Sequence, residues 1–181
     1  MTKKRIRIVP DTDYQWDDDM CKIAYLKSSR YVLGTEALSS DEMSALQDRV
    51  NTGEVKALPV YAYVHSGVVL STSQFDDIWD SGRSGFVYSE DAAVTEDMLR
   101  GYVEAYNKCL AGDTWGFVVE EAVELIGQRE DGTTVEREEW VEVDSCWGFL
   151  GSDPEQNGMK EHVEDWLKEG YVWTDEKGNE L

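Results

Sequence analysis

From Glu120 to Asp144 the chain carries ten acidic residues (Glu120, Glu121, Glu124, Glu130, Asp131, Glu136, Glu138, Glu139, Glu142 and Asp144) against two basic ones, Arg129 and Arg137. Like charge at this density opposes the compact state through self-repulsion, and any fold must place these side chains where the repulsion is tolerable. Two readings are open. The run is a solvated, solubilising face, or it is a surface that meets a basic partner. Solubility alone does not require so one-sided a balance.

The imbalance is regional. Of 17 Lys+Arg and 38 Asp+Glu in 181 residues, residues 1–57 hold nine bases and ten acids, whereas 58–181 hold eight and twenty-eight. The formal charge of −21 and a pI near 4.3 exclude a conventional nucleic-acid binder, which needs a basic face to displace counterions from phosphate. Apolar residues make up 41% of the chain, enough for a core, so wholesale disorder is excluded as well. One domain over 1–181 is expected, with a near-neutral portion at 1–57 and an acidic main body at 58–181. No apolar run reaches the length of a membrane span or a signal peptide. Cys21, Cys109 and Cys146 are too few and too scattered for a disulfide framework, so a reducing, cytoplasmic setting is expected.

Periodicity predicts an α+β fold, a mostly antiparallel sheet with about three helices. Lys4–Val9 (KRIRIV) alternates basic and apolar residues, as a strand with one wet face does. Leu58–His65 and Val68–Thr72 flank Ser66–Gly67 as a hairpin or bulged strand, and Gly85–Ser89 is a further strand. Lys22–Leu26 and Arg30–Leu33 are too short to type. A first helix runs from Ser40 to the stop at Asn51–Gly53. Thr95 caps a second, with Met98, Leu99, Tyr102, Val103, Tyr106 and Leu110 on one face. The third begins at Asp153-Pro154-Glu155-Gln156, or later at Asn157–Gly158, and carries Met159, His162, Val163, Trp166 and Leu167. Thr114–Ile126 and Thr134–Trp147 flank Asp131–Gly132, a strong turn signal, so the acidic run is a hairpin. Alternate strand residues share a face, which places Glu136, Glu138 and Glu142 together at a spacing of the same order as phosphates on one DNA strand.

Catalytic and metal-binding alternatives compete with that surface. Cys146 activated by His65, with Asp80 or Asp144 orienting the imidazole, has the residue types of nucleophilic catalysis. Surrounding acidity disfavours the thiolate, and a buried Cys146 beside Trp147 accounts for the same residues. Asp17-Asp18-Asp19 and Asp76-Asp77 with Asp80 offer oxygens to a hard cation, but neither has the interleaved spacing of an EF-hand loop. No metal or cofactor is expected. His162 reads as core, while Trp16, Trp79 and Trp115 are the aromatics best suited to exposed contacts.

The strings LPVYAYVHSGVVLSTS, WDSGRSGFVYS, DTWGFVVEE, DSCWGFLG and NGMKEHV, spread from Leu58 to Val163, resemble the signature strings of a family of short proteins carried by bacteriophages and other mobile elements. The resemblance implies a protein made inside an infected bacterium. In size and charge the chain is also similar to acidic antirestriction and anti-CRISPR proteins. The expected function is inhibition of a host nucleic-acid-targeting nuclease by occupying its basic groove, without direct nucleic-acid or membrane binding. Glu120, Glu121, Glu124, Glu136, Glu138, Glu139, Glu142 and Asp144 are the expected contact residues. The alternative is a hydrolase or nuclease using His65 with Cys146 or Asp80, and a homodimer is an open arrangement.

Overall fold

The computed structural model describes residues 3–17, 19–77, 79–130 and 133–181. The chain divides into two compact units: 15–112 form one, and 1–14 together with 113–181 form the other. Residue 57, where the charge balance changes, lies within the strand Lys56–Val64. The class is α+β as expected: the described residues form three helices and two mixed sheets, with five of the seven strand pairings antiparallel.

The unit built from 15–112 has a five-stranded sheet in the order β3-β2-β6-β4-β5, from β2 (Lys22–Leu26), β3 (Glu36–Leu38), β4 (Lys56–Val64), β5 (Val68–Ser71) and β6 (Ser81–Ser89). A helix covers each face. On one side α2 (Glu96–Leu110) buries Leu99, Tyr102, Val103 and Tyr106 against Ile23, Val60, Leu70 and Val87. On the other, Leu46 of α1 (Ser40–Asn51) packs on Ala24, Phe86 and Tyr88. Thr95 caps α2 as expected, whereas α1 is capped by Ser39, whose side chain and that of Glu42 form a reciprocal capping box. Trp16 is not an exposed contact. Its indole donates to the Tyr102 hydroxyl at 3.0 Å and meets Tyr102 and Tyr106 edge-on, which fastens the acidic loop to the core.

The other unit has four strands in the order β8-β7-β1-β9: β1 (Lys4–Pro10), β7 (Thr114–Gln128), β8 (Thr134–Leu150) and β9 (Val172–Thr174). Ile6, Ile8, Phe117, Val119 and Phe149 form its core with Met159 and Val163 of α3 (Met159–Lys168). The helix starts after Gly158, which has φ +89°. Asp153–Gln156 is a turn in which Asp153 accepts from the backbone of Glu155, so the proline does not open the helix. His162 is exposed and not core, although its ring edge packs on Phe149. Trp115 is half-buried against this core, with its indole N–H on Asp113.

Candidate functional site: the acidic hairpin

β7 and β8 form the expected hairpin; its turn signal, Asp131–Gly132, lies outside the described residues. Register pairs Glu120 with Glu142, Ala122 with Trp140, Glu124 with Glu138 and Ile126 with Glu136. Directly opposed residues project from the same face of the sheet. Glu120, Glu124, Glu136, Glu138 and Glu142 therefore share one face, and two of their pairings set carboxylate against carboxylate. Glu139 pairs with Val123 on the opposite face, beside the Glu121–Val141 and Leu125–Arg137 pairs.

Two irregularities set this register, one between Trp115 and Phe117 and one between Val119 and Glu120. At the first, a Cβ on Gly116 would stand 2.4 Å from the Trp147 ring and 2.7 Å from the Cys146 carbonyl oxygen, so only glycine lets β8 lie so close. At the second, Val143 is left without a partner residue in β7, and the alternation of β8 is reset.

The base of the hairpin is neutralised by β1. Its alternation places Arg5 opposite Glu120 and Arg7 opposite Val118, on the carboxylate face. Arg5 Nε donates to Glu120 Oε2 at 2.8 Å, while Arg7 Nε and Nη2 reach both Glu120 oxygens at 3.0 Å. The Arg5 guanidinium also lies 3.9 Å over the Trp140 ring. Burial pushes the Glu120 carboxyl up, but the hydrogen bonds from Arg7 and Arg5 and their charges outweigh it and hold the group below its ordinary value. Glu121 accepts the Tyr171 hydroxyl and lies 3.7 Å from Lys4. Burial, followed by this bond to Glu121, pushes the Tyr171 hydroxyl up to about 12.

These contacts correct part of the expected surface. Glu120 is 6% exposed and serves as the centre of an Arg–Glu–Arg cluster, so it is not a contact residue. Glu121 is likewise engaged at the base. Glu138 is exposed but bonded to Lys3 Nζ at 2.8 Å, and Asp144 accepts from the Ser145 backbone. Glu124, Glu136, Glu139 and Glu142 are exposed, and among the described residues none has an ion-pair partner within bonding distance.

β1 runs beside β7 only as far as Glu121 and Ala122. Beyond that point the described residues contain two strands and no third. Most side chains over 124–139 are exposed, including Leu125 and Ile126, the latter 72% exposed. A two-stranded ribbon open on both faces is marginal by itself, and opposed carboxylates weaken it further.

Two residues of the catalytic alternative meet within one unit. His65 Nδ1, in the turn that joins β4 to β5, lies 3.0 Å from Asp80 Oδ2, and both side chains are exposed. Cys146 belongs to the other unit, where β8 sets it opposite Phe117 and packs it against the α3 core, and Asp144 lies on the same strand. Among the metal candidates, Asp77 Oδ1 accepts from the backbone of Trp79 and Asp80, an Asx turn that presents Trp79 to solvent at 91% exposure. Asp18 lies outside the described residues, and among those described no group of three or more His, Cys, Asp or Glu is placed to hold a metal. No helix among them is long and apolar enough to cross a membrane.

No protein-family model, curated protein or solved structure matches the chain.

Proposed function

We propose that the protein is an acidic binding protein of the anti-defence type, which places its β7–β8 ribbon in the basic nucleic-acid groove of a host nuclease in the bacterial cytoplasm. One observation carries this reading: Glu124 and Glu138 stand directly opposed on a ribbon exposed on both faces, with Glu136 and Glu142 on the same face. Folding gains nothing from that arrangement, since opposed like charges destabilise a strand pair. A basic groove converts the repulsion into attraction. Carboxylates about 6.6–7 Å apart along a strand, and about 4.5–5.5 Å apart across it at Cβ, suit a surface that normally receives closely spaced phosphates.

The reading is that of a ligand for a protein, with Glu124, Glu136, Glu139 and Glu142 as the contact residues and Glu138 joining when Lys3 is displaced. Its test is affinity for a nucleic-acid-targeting nuclease, such as a CRISPR effector or restriction enzyme, as a function of salt. Binding weakens steeply as ionic strength rises above physiological, because exposed charges are screened beyond about 8 Å at that point. Salt-independent binding rejects the reading.

A further inference from the structure

The two sheets have four edges, and three of them are short or occupied. β3 and β9 are three residues each, and beside β9 the chain returns to form a bridge between Thr174 and Glu180. β5 is four residues long, and Asn107 of α2 takes up both outer backbone groups of Leu70, accepting from its N–H at 2.8 Å and donating to its carbonyl at 2.7 Å. The fourth edge is β8, 17 residues long and exposed over most of its length. Long open edges invite strand pairing, and proteins ordinarily shorten or cover them.

We propose that the outer edge of β8, over 134–142, accepts an extended segment of a partner protein as an added strand. That segment carries Lys or Arg at alternate positions, on the side that meets the carboxylate face of β8. The chemistry follows from the faces of β8. Glu136, Glu138 and Glu142 lie on one, and Val135, Arg137, Glu139 and Val141 on the other. The hairpin already holds one strand of this pattern on its opposite edge: β1 sets Arg5 and Arg7 on the carboxylate face and Lys4, Ile6 and Ile8 on the opposite one. A second copy of the protein is the wrong occupant, because pairing β8 with β8 brings these glutamates against each other. Main-chain hydrogen bonds to the free edge give such a complex its affinity, and the alternating side chains give it selectivity. The inference rests on the proposed binding role of the ribbon and specifies the partner's conformation.

The test uses the full-length protein, isotopically labelled, and as probe a peptide with the sequence of residues 3–9, Lys-Lys-Arg-Ile-Arg-Ile-Val. Saturable binding is expected, with amide-exchange protection at alternate residues of 134–142. Two N-methylated peptides follow, one blocked on each edge. Blocking the edge that faces β8 should weaken binding at least about tenfold, and blocking the other should change it little. Equal binding by both N-methylated forms overturns strand addition, as does protection confined to 115–122, which reports displacement of β1. Absence of binding, or a concentration-dependent dimer of the protein alone, overturns it as well. If the peptide fails while nuclease affinity keeps its salt dependence, only the strand-addition inference falls. If the peptide behaves as expected and nuclease affinity ignores salt, the proposed function falls.

Discussion

Glu120 stands directly opposite Glu142 across the β7–β8 ladder, and Arg7 on the neighbouring strand is bonded to both oxygens of Glu120. The Arg7 guanidinium is held in its charged form first by the hydrogen bond to Glu120, against the opposing effect of burial, and then by attraction to both Glu120 and Glu142. β1 therefore acts as more than an inner strand. It delivers positive charge to one end of a negative ribbon, and the ribbon stays uncompensated only beyond it.

Replacing Glu120 with Gln removes the centre of that cluster and leaves Arg5 and Arg7 facing each other, largely buried. A loss of about 3 kcal/mol is expected, toward the low end for a broken buried pair because the arginines keep some exposure. The pH dependence has a definite sign. The folded carboxyl titrates below the ordinary value of 4.5, so its contribution is fully present above that pH and disappears as pH falls through the folded value. Chemical denaturation of parent and E120Q between pH 7 and 3 should show a constant gap that closes only below about pH 4.5.

His65 and Asp80 form a surface pair, with side chains 67% and 41% exposed. Exposed pairs contribute little, so H65A should unfold within about 0.5 kcal/mol of the parent. It should also inhibit or bind as the parent does. A folded H65A that binds its partner but has lost activity would instead assign chemistry to this dyad, and a D80A variant with the same profile would confirm it.

The hairpin was legible because Asp131–Gly132 separates two runs of alternating and β-branched residues, a pattern that few other structures satisfy. Its register was not. Register depends on where β8 bulges, and that is decided by the fit of Trp147 over Gly116 and by the unpaired Val143, both contacts between distant parts of the chain. The burial of Glu120 was hidden for the same reason, although a signal existed: Lys3, Arg5 and Arg7 recur at period two in an acidic protein, and such a strand requires carboxylates beside it. β3 and β9 escaped notice because three residues carry no periodicity, and parallel pairing with β2 and β1 is what makes them strands. Trp16 looked exposed because it sits among aspartates; its fate was set by two tyrosines of α2.

Gly116 gives a direct test of the register. Its missing side chain admits Trp147 and the Cys146 carbonyl, and the latter is backbone that cannot turn aside. G116A should therefore cost about 1–3 kcal/mol, the usual penalty of overpacking, and shift amide resonances along 144–150 of β8. A variant as stable as the parent, with β8 resonances unmoved, would show that the strands are not packed in this way.

The location of the binding surface is tested by reversing charges that have no structural duty. Glu124 and Glu136 are exposed, lie on the carboxylate face and pair with no cation among the described residues. Changing both to Lys (E124K/E136K) has two opposite consequences. Toward a basic groove, each reversal replaces attraction with repulsion at close range, so affinity at low salt should fall at least about tenfold. Within the protein, the lysine introduced by E124K would face Glu138 across the ladder, turning a repulsive pair into an attractive one, so the melting temperature should stay level or rise slightly. The control is the D13K/D17K variant, which makes the same change in net charge at exposed loop positions outside β7 and β8. Affinity and melting are then compared side by side for the two variants. Equal losses of affinity would mean that net charge alone drives association. Loss confined to the D13K/D17K variant would place the interface on the loop, whereas loss confined to the ribbon variant, with stability retained, marks the opposed carboxylates as a binding feature.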